Sequence, residues 1–162
     1  MTPFKINELA ETNYAWVERM GWHNKSTLEC FALIASEVGE AIEALLYCKG
    51  NEAIGEELAD IILRVSDLAV DTGRDLDALV EAANPERNTL YASEELGEIM
   101  VDVAHGINAC RKDALGEDFD RALGAIVVRV MEFADRQEID LKTALQAKMD
   151  LNAMRGTRGR RI

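Results

Sequence analysis

A chain of 162 residues, 48% hydrophobic but only 6% aromatic, is long enough to bury one aliphatic core. Its net charge of −12 is uneven: residues 148–162 carry five basic side chains against Asp150, a sum of +4, so residues 1–147 hold −16. A body that acidic repels phosphate backbones and excludes duplex nucleic acid as a partner. It leaves open a free nucleotide, whose phosphates divalent cations bridge to carboxylates.

Residues 1–17 mix Lys5, Glu8, Glu11 and Asn13 among their apolar residues, unlike a secretory leader. Nowhere does an apolar run reach the roughly 18 residues of a membrane span, so no membrane partner is expected. Cys30, Cys48 and Cys110 are odd in number and lack CxxC spacing. They suggest neither a disulfide framework nor a zinc knuckle, and the expected setting is reducing and cytoplasmic.

Sustained strand-type alternation is missing, while three- and four-residue apolar spacing recurs and only Pro3 and Pro85 interrupt it. The spacing predicts a helix from about Thr27 to Cys48, opened by a capping box at Ser26 and Glu29. Its apolar stripe is Leu28, Phe31, Ala35, Val38, Ile42 and Leu45. A second helix is predicted from Glu52 to Asp71, with Leu58, Ile61, Ile62, Val65, Leu68 and Ala69 inward and Thr72-Gly73 as its stop. A short helix from Leu76 to Ala83 then meets Asn84-Pro85, an N-cap followed by a first-turn proline.

The second half echoes the first. Ser36-Glu37-Val38-Gly39-Glu40 returns as Glu94-Glu95-Leu96-Gly97-Glu98 at an offset of 58 residues. Asp60-Ile61-Ile62-Leu63-Arg64-Val65 returns as Ala125-Ile126-Val127-Val128-Arg129-Val130, and Asp75-Leu76 as Asp140-Leu141, at an offset of 65. The expectation is one all-α domain over 1–162, a helical bundle of two tandem, pseudo-twofold-related hairpins. Repeat one covers about 27–83, repeat two about 86–153, with a basic tail at 154–162. The difference of seven between the offsets places an insertion around Asn108–Asp118.

Glu37 and Glu40 are three residues apart and so share a helix face, as do Glu57 and Asp60 on the next helix. Around the helix Glu37 falls among Leu33, Ile34, Ala41 and Ala44, and Glu57 beside Ile61 and Leu68. Carboxylates set into an apolar surface need a cation to compensate them. A hard divalent ion is one compensator, and Arg64, four residues after Asp60, is another. Read by spacing alone, the acids are either a metal site or solvated, ion-paired faces. A di-iron site is not indicated, since no glutamate has a histidine three residues later.

Glu37-Val38-Gly39-Glu40-Ala41, then Glu56-Glu57-Leu58-Ala59-Asp60-Ile61 after sixteen intervening residues from Glu40 to Glu57, resembles the signature of MazG-like all-α nucleoside triphosphate pyrophosphohydrolases. The resemblance covers about residues 14–80. It implies hydrolysis of a nucleoside triphosphate to the monophosphate and pyrophosphate, with Glu37, Glu40, Glu57 and Asp60 as catalytic, metal-holding residues for Mg²⁺, or Mn²⁺ in its place. It further implies that Lys148, Asn152 and Arg155 contact phosphates and that Trp22 and Lys25 line a base pocket. A homodimer is compatible with it, because related single-repeat proteins associate. In the second half the matches to Glu57 and Asp60 are Ala122 and Ala125, so one working site per chain is expected. The alternatives are a superfamily relative acting on dUTP or phosphoribosyl-ATP, and a non-catalytic interaction bundle with a relic site.

Overall fold

The structure is a computed structural model describing residues 5–21, 25–87, 91–112 and 115–155. Among these the chain forms seven α-helices and no strand: α1 (Ile6–Arg19), α2 (Thr27–Leu46), α3 (Asn51–Asp71), α4 (Leu76–Ala82), α5 (Ala92–Arg111), α6 (Glu117–Arg136) and α7 (Leu141–Arg155). The capping box is made as the sequence signals. Ser26 Oγ accepts from Glu29 N at 3.3 Å, and Glu29 Oε2 accepts from Ser26 N at 2.7 Å. The first turns of α1 and α4 cap each other: Ile6 N donates to Asp77 Oδ1 at 2.8 Å, and Leu76 N donates to Asn7 Oδ1 at 3.1 Å.

The hairpins α2–α3 and α5–α6 pack together through α2 against α5 and α3 against α6. The third helix of each half crosses to the other half, with α4 on α6 and α7 on α3. Helix α1 lies against α3 and α4. The expected inward face of α3 is buried throughout. On α2 the buried face is Phe31, Ile34, Val38, Ala41 and Ala44, while Leu28 is 44% exposed. The stripe is rotated because α2 serves two neighbours, α3 and α5, rather than one.

The two halves keep a single register. Two pairs of helix starts are offset by 65 residues: α2 and α5 start at 27 and 92, and α4 and α7 at 76 and 141. Buried Ile34, Val38, Leu58, Ile61 and Val65 recur as buried Ile99, Val103, Leu123, Ile126 and Val130. Asp75 caps α4 through Ala78 N at 3.1 Å, and Asp140 caps α7 through Thr143 N at 3.0 Å. The offset of 58 read from the Glu-x-Gly-Glu echo is therefore corrected. Helix α5 is set two turns from that alignment, and its connection to α6 spans 112–116 against 47–50 in the first hairpin, with no seven-residue insertion. The expected helix start at Asn84-Pro85 is also corrected. Those residues are non-helical, and α5 opens at Ala92 behind Tyr91.

Two of the close helix approaches at glycines bear on how the halves meet. A Cβ on Gly106 of α5 would lie 2.2 Å from the ring of Phe31 on α2. A Cβ on Gly55 of α3 would lie 3.1 Å from Ile139 Cγ2, just ahead of α7. The second contact brings the start of α7 down onto α3, close to the acids.

Candidate functional site

Helices α2 and α3 bring Glu37, Glu40 and Glu57 together, each offering one carboxylate oxygen within 4.8 Å of the others. Oxygens this close together are within reach of one hard divalent cation, whose bonds to oxygen are about 2.0–2.6 Å long. Glu37 is buried, Glu57 half-buried and Glu40 exposed, which leaves the cluster open on the Glu40 side.

Asp60 is not part of that cluster. Its Oδ2 accepts from Lys148 Nζ at 2.6 Å, an ion pair between α3 and α7. The i,i+4 pair of Asp60 with Arg64 does not form as a contact. Arg64 instead crosses to α2, where Nε donates to Glu37 Oε1 at 2.6 Å and the second guanidinium nitrogen lies 2.5 Å from the same oxygen. A carboxylate with one oxygen engaged keeps acceptor capacity on the other. Glu37 can thus hold both an arginine and a cation.

The charge balance is unequal. With all four ionised, Glu37, Glu40, Glu57 and Asp60 meet only Arg64 and Lys148 in direct contact among the described residues, leaving two negative charges, which one divalent ion would match. Lys49, from the α2–α3 turn, is committed to Glu43 at 2.6 Å. Burial, followed by repulsion from Glu40, pushes the Glu57 carboxyl up to about 7 despite the opposing pull of Lys148. Burial also raises Asp60 and outweighs its hydrogen bond from Lys148. For Lys148 burial acts downward, but the Asp60 hydrogen bond and the surrounding acids prevail and hold it above its ordinary value.

Among the remaining expected residues, Asn152 is half-buried one turn beyond Lys148 on α7. Arg155 closes α7, but its side chain lies outside the described residues, as does Trp22. Lys25 is exposed ahead of α2. At 1.5 Å per residue it stands about 18 Å along the axis from Glu37, so the acids and Lys25 are not brought together.

A groove of about 510 Å³ lies between α3 and α7, with Lys148 on its wall and none of Glu37, Glu40, Glu57 and Asp60 in its lining. Gly55, Ile139, Ala144 and Leu151 give it an apolar lining, and Glu52 and Glu56 stand at its edge.

In the second half the acids are matched by arginines. Arg129 reaches Asp102 Oδ2 through Nε at 2.6 Å and Glu98 Oε2 through a terminal nitrogen at 2.6 Å. Glu95 is held by Arg87 at 2.8 Å and by Arg136 at 3.0 Å. The residue that matches Glu37 is Asp102, held by the same arginine nitrogen at the same separation of 27 residues. Sequence reasoning passed over it by following the Glu-x-Gly-Glu echo. The signal was present, since carrying the 65-residue offset of Asp75 and Asp140 back into the first helix leads to Asp102. No family model, curated protein or solved structure matches the chain.

Proposed function

We propose that the protein is a metal-dependent hydrolase that splits a nucleoside triphosphate into the monophosphate and pyrophosphate, at the cluster of Glu37, Glu40 and Glu57. The observation that carries this reading is a group of three carboxylates, converging from two helices, whose direct ion pairs leave negative charge over. Oxygen-only ligands favour hard cations, which makes Mg²⁺, or Mn²⁺ in its place, the expected cofactor. The similarity of Glu37-Val38-Gly39-Glu40 and Glu56-Glu57-Leu58-Ala59-Asp60 to the MazG-like signature supplies the reaction class.

When bound, such an ion neutralises phosphate charge and lowers the pKa of an attacking water. The chain's own groups do the rest. Arg64 holds Glu37 in place, so that one ligand is oriented before substrate arrives. The Glu57 carboxyl, pushed up to about 7 by burial, is partly protonated near neutrality, so binding of a cation to it would release protons. Lys148, paired with Asp60, and Asn152, one turn further along α7, are the groups assigned to phosphate contact in this reading. The groove between α3 and α7 is large enough for a nucleoside. Three free cysteines and the acidic body fit action on free nucleotides in the cytoplasm.

The experiment is a panel of nucleoside triphosphates, with dUTP and phosphoribosyl-ATP included, assayed with and without Mg²⁺ for pyrophosphate against orthophosphate. Pyrophosphate release that needs Mg²⁺ and is lost in Glu57→Gln supports the reading. Magnesium-independent, or unchanged, turnover in that variant would sink it. Nucleotide binding without turnover would instead favour the interaction bundle with a relic site.

A further inference from the structure

The Asp60–Lys148 pair occupies an unusual position. Both side chains are largely buried, Lys148 at 14% and Asp60 at 19% exposure, and the contact is 2.6 Å. A charge-assisted hydrogen bond this short and shielded is strong. Asp60 also sits less than one helical turn from Glu57, on the face that α7 covers. A cation held by Glu37, Glu40 and Glu57 would thus find one oxygen of the neighbouring Asp60 carboxylate already engaged by an ammonium. Hard cations take six or more oxygen ligands, so that carboxylate matters.

The arrangement is confined to one place in the fold. At the 65-residue offset Asp60 becomes Ala125 and Lys148 falls on Ala83. Helix α4 ends at Ala82, whereas its counterpart α7 runs on to Arg155. The extension of α7 past the length of α4 is what carries Lys148 to the acids of the other half.

We propose that Lys148 is a built-in competitor for the cation: its buried ammonium holds one oxygen of Asp60 beside the cluster, and a divalent ion at Glu37, Glu40 and Glu57 competes with that positive charge and for full use of the Asp60 carboxylate. This rests on the reading of the cluster as a divalent-cation site. Metal affinity is then set below what the carboxylates alone would give, and it rises with anything that draws the ammonium away. An incoming anion is such an agent, so metal and anionic ligand bind cooperatively through one side chain.

The test uses the full chain and Mn²⁺ alone, with free Mn²⁺ followed by electron paramagnetic resonance. Lys148→Met should tighten Mn²⁺ binding by about tenfold. The gain should disappear in a Lys148→Met/Asp60→Asn double variant, and Glu57→Gln should abolish binding. If Lys148→Met binds Mn²⁺ no better than the wild type while Glu57→Gln still abolishes binding, the competition is wrong and the cation site stands. If neither the wild type nor Lys148→Met binds Mn²⁺, both readings fall. A measurement on the wild type covers loss of folding in the variant. As Mg²⁺ is added, the Lys148 ammonium signal in ¹⁵N spectra should lose its protection from solvent exchange, and unchanged protection at saturating Mg²⁺ overturns the proposal.

Discussion

Glu37 and Asp102 hold the same place in the two halves, and each accepts a hydrogen bond of 2.6 Å from the arginine 27 residues further on. What surrounds them differs. In the first half Arg64 serves Glu37 and leaves Glu40 and Glu57 gathered beside it, with no cation in direct contact among the described residues. In the second half the acids Glu95, Glu98 and Asp102 meet Arg87, Arg129 and Arg136. One scaffold therefore carries an open acidic cluster in its first half and a closed ionic network in its second. The lesson is that a helical frame sets where charges stand, while the count of opposing charges decides whether a site can take a ligand.

Breaking the closed network should have the largest effect. Arg129→Ala strips Asp102 and Glu98, both mostly buried, of their guanidinium. Removing one partner of a buried pair costs about 3–5 kcal/mol, to be read from urea unfolding. Arg64→Ala should cost less, and saturating Mg²⁺ should recover part of the loss, because a cation can take over Glu37. Equal costs in the two variants, both insensitive to Mg²⁺, would erase the contrast between the halves.

Glu57→Gln should lower Mg²⁺-dependent pyrophosphate release by at least about 10²-fold. Glu98→Gln, its control in the second half, should leave turnover near the wild-type value and change only the denaturation midpoint.

The helix crossing of α2 and α5 offers a smaller, structural test. Phe31 of the first half presses on Gly106 of the second, and the 65-residue register puts Leu96 and Ala41 at the reciprocal positions, leucine for phenylalanine and alanine for glycine. Gly106→Ala should cost about 1–3 kcal/mol through overpacking. Adding Phe31→Leu, which copies the other half's pair, should recover most of it in thermal melts. No recovery would mean that the halves do not pack equivalently.

The mildest effect concerns pH. Glu57 is raised from 4.5 to about 7, so the folded state favours its protonated form. That contribution is fully present below about pH 4.5 and is lost as pH rises toward 7. Between these values the metal-free protein should lose a little stability from Glu57, and Mg²⁺ should offset the loss most at the alkaline end. Melting curves at several pH values, with and without Mg²⁺, check the sign. Glu57→Gln should flatten the difference.

Much of this molecule is written locally in its residues. The helices, the Ser26–Glu29 capping box, the inward face of α3 and the pairing of Glu37 and Glu40 on one face follow from short-range spacing and capping chemistry. Those are properties of contiguous segments, so a linear reading reaches them. Tertiary packing decided the rest. It rotated the buried face of α2 toward two neighbours and set α5 at a 65-residue register. It also sent Arg64 to Glu37 rather than to Asp60. Above all it brought Lys148, 88 residues away, onto Asp60. Which cation meets which carboxylate depends on how helices from different halves cross, and that is settled by apolar side chains such as Phe31 and Ile139 and by glycines such as Gly106 and Gly55, far in sequence from the acids they position.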